Sequence, residues 1–398
     1  MANPGLPEHV LQEAVNLVAQ YGGRIHIAAK KSRIPHSTLE NRYQRGLQSG
    51  MVPGGNPTPP DLSGRIRLLE TELAKARAVQ IDTESVKREI FKLVDAFQEP
   101  TQWLIKSKKP SSSAGVATLF LSDLHWGEVV SPSEVNGVNE YNLEIAEKRL
   151  FTVVEHAIDL VKNHVVNKGY PGFVVFLGGD MVSGNIHQEL KETNEQPIMQ
   201  VVLHIAERLV QVLRTLADEF GRVHSVCVYG NHGRNTMKPT SKQSAFESFD
   251  WLIYQMLRMF LKDDKRFSWN IPDGSDAFQE IYGHRYLLTH GDQFRGGDGM
   301  IGALGPIIRG DHKKRSRNAQ IDLEYDTLCM GHWHQLVQMQ RVIVNGSLKG
   351  YDEYAYKGNF PYEAPRQALW MTHPDLGLTF SMPVYAERSK NGAKDWIR

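Results

Sequence analysis

Apolar residues recur along this chain in two rhythms, and the change from one to the other divides it. Over residues 9–23, Val10, Ala14, Leu17, Val18 and Tyr21 fall at helical spacing, and Gly22-Gly23 stops the run. A second short helix is predicted from Ile25 to Ser32. A turn follows at Ile34-Pro35-His36, with Ser37 placed to cap a third helix. Residues 51–64 are rich in Pro and Gly and read as a linker. From 65 to 97 the helical rhythm returns, through Ile66, Leu69, Leu73 and Ala76. After a slip it continues through Val86, Ile90, Leu93 and Phe97. Two short heptad stretches suit either a coiled coil that pairs two copies into a homodimer or a helix lying on its own domain. The segment 65–105 ends at a second linker, 106–115.

Beyond residue 116 the texture changes. Residues 116–125, 172–180, 222–232, 285–292 and 326–334 are β-branched, apolar runs, and each ends in polar residues. Amphipathic helical stretches at 142–166 and 198–220 lie between the early ones. Strands buried on both faces and alternating with helices predict a layered α/β domain over 116–398. In such sheets, sites form at the carboxyl ends of strands.

Composition removes some function classes. No stretch approaches 18 consecutive apolar residues, and the N-terminus lacks a secretory pattern, so a cytoplasmic, membrane-free protein is expected. Cys227 and Cys329 both sit in strand-like runs, and two cysteines in 398 residues make no disulfide framework. Net charge is +1, so any attraction to nucleic acid must be local. The 16 histidines direct attention to metal ligation.

Taken in order, the five runs end in Asp123-Leu124-His125, Gly179-Asp180, Gly230-Asn231-His232, His290-Gly291-Asp292 and Gly331-His332-Trp333-His334. Carboxylate oxygens, imidazole nitrogens and an amide oxygen together suit first-row divalent ions. In Asp123-x-His125 and His332-x-His334, residues two apart on a strand would share a face, but the backbone bends near a strand end, so alternation helps without fixing their convergence. Glycines beside the candidate ligands let the backbone turn where a side chain would obstruct. Singly, a GD or HG pair is a turn and a lone histidine is core; five such blocks in one order are specific.

That series, D-x-H, G-D, G-N-H, H-G, G-H-x-H, resembles the calcineurin-like metallophosphoesterase family over roughly residues 116–350. The resemblance implies a two-layer β-sandwich flanked by helices, preceded here by a small all-α unit. It implies two divalent ions, manganese first, with iron, zinc, nickel or magnesium as alternatives. Carried across, Asp123, His125 and His334 hold one ion and Asn231, His290 and His332 the other. Asp180 bridges them, and His232 faces the substrate phosphate. Two ions roughly 3.5–4 Å apart clamp the attacking and leaving oxygens of an in-line phosphoryl displacement, and an imidazole assists the leaving group. Ligating histidines need outer acceptors, for which Asp292 is the candidate. Members of the family often carry an acid after G-N-H, where this chain has Gly233, so the means of orienting His232 stays open. His187, just past Asp180, is either structural or part of the cleft wall.

Two segments bear on the substrate. Residues 309–317 hold five Lys/Arg against one Asp, and are expected as a basic loop beside the cleft, with Lys313, Lys314, Arg315 and Arg317 as candidate nucleic-acid contacts. A solvated loop is the alternative. Residues 24–46 resemble helix-turn-helix units of the pipsqueak type, through Ala28-Ala29 and Ile34-Pro35-x-Ser37-Thr38-Leu39-x-x-Arg42. The resemblance puts the third helix in the major groove, with His36, Ser37, Asn41, Arg42 and Arg45 as contacts; a protein-docking unit is the alternative. A DNA nuclease or phosphodiesterase is therefore the leading expectation. Its rivals are a phosphomonoesterase, a cyclic-nucleotide phosphodiesterase, and a non-catalytic DNA-binding scaffold.

Overall fold

The computed structural model describes residues 6–54, 115–165, 169–295 and 304–387. The predicted helix over 65–97, with its expected dimer contact, lies outside them. The chain falls into two compact units, Met1–Lys92 and Leu93–Arg398.

The first contains α1 (Glu8–Gln20), α2 (Ile25–Ser32) and α3 (His36–Gln48). The buried face of α1 runs through Leu11, Ala14, Val15 and Val18, slightly rotated from the predicted Val10-centred face. Val15 accounts for the rotation. It packs so closely on α3 that a Cβ at Gly46 would lie 2.6 Å from its methyl carbon. Ala14, Val18, Ala28, Ala29 and Leu39 form a small core, edged by Ile34 and Tyr43. Ser37 is not the cap of α3. Pro35 occupies that position with extended backbone, and Ser37 sits exposed in the first turn.

The second unit holds two sheets. Its elements are β1 (Val116–Leu121), α4 (Leu143–Asp159, continued by a π-turn Leu160–His164), β2 (Phe173–Leu177), α5 (Gln188–Thr193), α6 (Ile198–Phe220) and β3 (Val223–Cys227). Next come α7 (Phe249–Phe260), β4 (Phe267–Asn270), β5 (Asp276–Ile281), β6 (His284–Thr289), α8 (Leu304–Ala319) and β7 (Thr327–Met330). Last are β8 (Val337–Gln338), β9 (Val342–Val344), α9 (Glu353–Lys357), β10 (Arg366–His373) and β11 (Gly377–Tyr385). One sheet has the order β11-β10-β1-β2-β3-β4 and the other β5-β6-β7-β9-β8. Strands β1 to β4 pair in parallel, as do β6, β7 and β9.

Strand alternation explains the layering. Ala117, Leu119 and Leu121 face one way with Phe173, Val175 and Leu177, into a core shared with α4, α6 and α7. Val116, Phe120, Val174 and Phe176 face the other way and meet Tyr286, Leu288, Cys329 and Ile343 of the second sheet. There Phe120, Phe176, Tyr286 and Trp370 form a ring cluster with edge-on contacts of 5.4–6.2 Å, tying sheet to sheet. The far face of the second sheet buries Leu287, Leu328 and Val342 with Ile307 of α8. The architecture is thus a two-layer β-sandwich flanked by helices, as the motif series implies. No described helix is long and apolar enough to cross a membrane.

Candidate metal centre

All five predicted motif blocks lie just beyond the carboxyl ends of β1, β2, β3, β6 and β7, and their side chains converge. Pleat alternation does not aim them, because the backbone has already bent out of the strands. β1 ends at Leu121 and β7 at Met330, before either x-separated pair begins. Instead Asp123, His125, Asp180, His332 and His334 all have φ between 46° and 68°. They account for five of the eleven non-glycine residues with positive φ among the described residues. Asp and His enter this left-handed region more readily than bulkier residues. Each such residue still costs on the order of 1–3 kcal/mol, and strain of this kind concentrates at functional sites.

Neighbouring glycines make room for the close approach. A Cβ at Gly230 would lie 2.1 Å from Asp180 Oδ1, and one at Gly331 would lie 2.3 Å from Asp123 Oδ2. A Cβ at Gly179 would strike the backbone nitrogen of Gly230 at 2.4 Å. Backbone bonds then lock the loops together: Asp123 N–H donates to Gly179 O, His125 N–H to Asp180 O, and Gly331 N–H to His290 O.

Two groups of side chains have ligand atoms close enough to share an ion: Asp123, His125 and His334, and Asp180, His290 and His332. In the first, His125 Nε2 faces His334 Nε2 at 3.0 Å, and His334 Nε2 lies 3.4 Å from Asp123 Oδ1. In the second, His290 Nε2 lies 3.0 Å from Asp180 Oδ2 and 3.1 Å from Asn231 Oδ1. Asp180 Oδ2 is also 4.0 Å from His125 Nε2, so this carboxylate stands between the groups. Asp123, His125, Asp180 and His290 are almost wholly buried.

The electrostatics match that crowding. Burial lowers His125 to a pKa of about 4 and His332 likewise to about 4, so both rings are neutral and carry a lone pair. Burial also opposes charge on His290, but the adjacent Asp180 carboxylate prevails and raises it to about 10. Asp180 itself is held well below the ordinary carboxylate range: burial works to raise it, and the surrounding histidines overcome that.

The outer contacts differ from expectation. Asp292 is exposed, and the second nitrogen of His290 meets the carbonyl of Gly178 at 2.9 Å. Asp292 is therefore not its acceptor. His232 Nδ1 lies 3.0 Å from the carbonyl of Ser183, and its backbone N–H donates to Asp180 Oδ1 at 2.6 Å. A backbone carbonyl thus orients the His232 ring where Gly233 supplies no acid. The space above Gly233 belongs to Asp250, whose carboxylate would lie 2.7 Å from a Cβ there. Asp250 accepts from the backbone N–H groups of Asp180, Met181 and Gly230, staking the Asp180 loop to the Gly230 loop. Asp250, Glu128, Ser183 and Lys349 were not legible as site residues. Only Glu128, three residues past His125, carried a local signal.

His187 is exposed, with its ring centre 6.3 Å from that of His232, so it belongs to the rim of the centre. Residues 309–317 are not a loop but part of α8. Its cations are used internally: Lys314 and Arg317 both pair with Asp276, at 2.7 and 2.9 Å, and Arg315 pairs with Asp311 at 2.8 Å. Lys314 is buried, and Lys313 alone of the four candidates is exposed with no ion pair among the described residues. In the first unit His36, Ser37, Asn41 and Arg45 are exposed on α3 and Arg42 is half-buried, with Ser37, Asn41, Arg42 and Arg45 lining one groove. His36 turns back toward Glu40 at 3.6 Å.

No protein-family model matches the chain, and no curated protein matches it. Among solved structures it is similar to an uncharacterized predicted phosphoesterase from Streptococcus pneumoniae, at 12% identity over 69% of this chain and 99% of that one, TM-score 0.26. It is also similar to a putative 5'-nucleotidase from Staphylococcus aureus, at 9% identity over 71% and 56% of the two chains, TM-score 0.30. A third is the sulfate thiohydrolase SoxB of Thermus thermophilus, at 10% identity over 70% and 57%, TM-score 0.27. This chain spans a little over half the length of the latter two. At such identities and TM-scores their chemistry does not transfer to this chain, whose own residues must carry any functional reading.

Proposed function

We propose that the chain is a binuclear metal-dependent phosphoesterase acting on phosphate diesters, with DNA as its substrate. The observation that carries this is the meeting of His125 Nε2 and His334 Nε2 at 3.0 Å beside two carboxylates. Glu128 Oε2 stands 3.3 Å from His125 Nδ1, a charge contact rather than an aligned hydrogen bond, and it favours the proton of that neutral ring on Nδ1. Its Nε2 lone pair then points into the cluster, an arrangement that a cation satisfies and a packed core does not. Asp123, His125 and His334 would hold one ion, Asn231, His290 and His332 the other, with Asp180 between them. Mn²⁺ is the first choice, since mixed oxygen and imidazole donors accept several first-row ions.

Divalent ions held there supply Lewis acidity toward phosphoryl oxygens. The chain's own part is orientation and proton transfer. With its Nδ1–H on the Ser183 carbonyl, the protonated His232 ring carries a second N–H on Nε2, which it would pass to the leaving oxygen, becoming neutral. Burial lowers the His232 pKa, which makes its charged form a readier donor.

DNA enters the proposal through α3, whose exposed Ser37, Asn41 and Arg45 line one face of a three-helix unit. The experiment compares bis-p-nitrophenyl phosphate, p-nitrophenyl phosphate, and single- and double-stranded DNA, each with Mn²⁺. The diester and DNA are expected to be cleaved. Turnover of the monoester alone would replace the diesterase reading with a phosphomonoesterase.

A further inference from the structure

Beside the strand-end centre lies a buried charged cluster of which only the contact of Glu128 with His125 enters the proposed chemistry. Glu128, Lys349 and Asp352 are 6%, 3% and 6% exposed. Lys349 Nζ donates to Glu128 Oε1 at 2.8 Å and pairs with the Asp352 carboxylate. The other oxygen of Glu128 faces the centre. Oε2 accepts the Ser183 hydroxyl at 3.1 Å and stands 3.3 Å from the buried His125 Nδ1, which has no aligned hydrogen-bond partner of its own, so Glu128 acts on that ring through its charge.

We propose that Glu128 is a positioning residue that fixes two imidazoles at once: His125 directly, and His232 through Ser183. This inference rests on the reading of the centre as a metal-dependent phosphoesterase and deepens it.

Three observations converge on it. First, Glu128 is itself rigidly placed. Its N–H donates to His125 O at 3.1 Å, closing a turn that Gly127 permits at φ 91°. A Cβ at Gly127 would lie 2.8 Å from a methyl of Val201, so that turn admits nothing larger. Secondly, Ser183 bonds in two directions. Its hydroxyl holds Glu128 while its carbonyl receives His232 Nδ1 at 3.0 Å. The two rings so held stand 4.6 Å apart, edge to face. Thirdly, a fold needing only to fill this space has no use for a lysine here. Burying an ion cluster is often no better for stability than burying apolar side chains of like volume. Lys349 gives Glu128 a fixed counter-charge, and its own carbonyl is held by Arg149 at 2.6 Å. A carboxylate behind a ligating histidine sets its tautomer and raises its basicity, and losing such a partner typically weakens metal affinity 10- to 100-fold.

The test uses full-length Glu128→Gln and Ser183→Ala beside the wild type. Calorimetric Mn²⁺ titration, thermal melting without metal, and kcat and KM on bis-p-nitrophenyl phosphate are measured for each. Glu128→Gln is expected to weaken Mn²⁺ binding by about 10- to 100-fold and to lower kcat with KM little changed. Ser183→Ala should keep Mn²⁺ affinity yet lose several-fold in kcat, because the hydroxyl that ties Ser183 to Glu128 is lost and the carbonyl under His232 is no longer held in place. A Glu128→Gln protein that melts earlier but binds Mn²⁺ and turns over as the wild type does would reduce Glu128 to a structural residue. An unchanged kcat in Ser183→Ala would remove the link to His232, and it decides the matter if Glu128→Gln does not fold. Wild-type protein that takes up no Mn²⁺ overturns this inference together with the phosphoesterase reading. Wild type that binds Mn²⁺, with Glu128→Gln binding it equally well, overturns the inference alone.

Discussion

The strand-end loops and helix α8 are both dense in titratable side chains, and both border the second sheet, yet they are built on opposite plans. On α8 the network is closed. Lys314 and Arg317 share Asp276, and Arg315 reaches Asp311 and the carbonyls of Tyr325, Asp326 and Arg341 while stacking over the Tyr325 ring. Its helical backbone is ordinary. At the strand ends the network is open: ring nitrogen faces ring nitrogen, imidazoles crowd two carboxylates, and the backbone turns left-handed to bring them there. A charged cluster that satisfies itself serves the fold. One that is held in place at a backbone cost, with ring nitrogens turned toward carboxylates, has the donor set that divalent cations take.

The sharpest way to break that contrast is Asp180→Ala. Removing the carboxylate between the two groups should abolish uptake of both ions and all hydrolysis, as read by calorimetry with Mn²⁺ and by diester turnover. Retention of either would place the ions elsewhere. His232→Ala should keep Mn²⁺ binding but lose roughly 10²- to 10⁴-fold in kcat. An undiminished kcat would mean that another group serves the leaving oxygen.

Acidity gives a third test. His290 holds its proton to a pKa of about 10, and an ion at Asn231 and His290 must displace it. Mn²⁺ affinity should therefore rise with pH through the neutral range, with proton release visible when titrations are repeated in buffers of different ionisation heat. Affinity that is flat with pH would exclude His290 as a ligand.

Arg315→Ala probes the closed network. It should cost about 1–3 kcal/mol of stability in chemical denaturation and leave Mn²⁺ affinity, turnover and DNA affinity unchanged. Weaker DNA binding without loss of stability would reinstate α8 as a contact surface. The smallest effect is expected from Arg45→Ala on α3, which should lower the slope of log affinity against log salt by about one. An unchanged slope would give α3 another partner.

The sequence and the structure agree where the signal is local. The apolar runs ending in Asp123, Asp180, His232, His290 and His334 are continuous in the chain, and each became a strand with its polar residues at the carboxyl end. Agreement failed where the deciding partner is distant. Lys314 meets Asp276 across 38 positions, so counting Lys and Arg over 309–317 could not reveal that Lys314, Arg315 and Arg317 are held in ion pairs. Lys349 lies 221 positions from Glu128, and nothing in its surroundings marks it as buried. The aim of Asp123 and His125 is beyond strand periodicity for another reason. Residue alternation holds only while the strand lasts, and the chain leaves β1 at Leu121.

On this reading two ions bind in one pocket at the ends of β1, β2, β3, β6 and β7. Anomalous diffraction from crystals grown with Mn²⁺ tests it directly. Two peaks are predicted, one among Asp123, His125 and His334 and one among Asn231, His290 and His332, with Asp180 touching both. Diffraction showing these side chains free of metal in Mn²⁺-saturated crystals would contradict it.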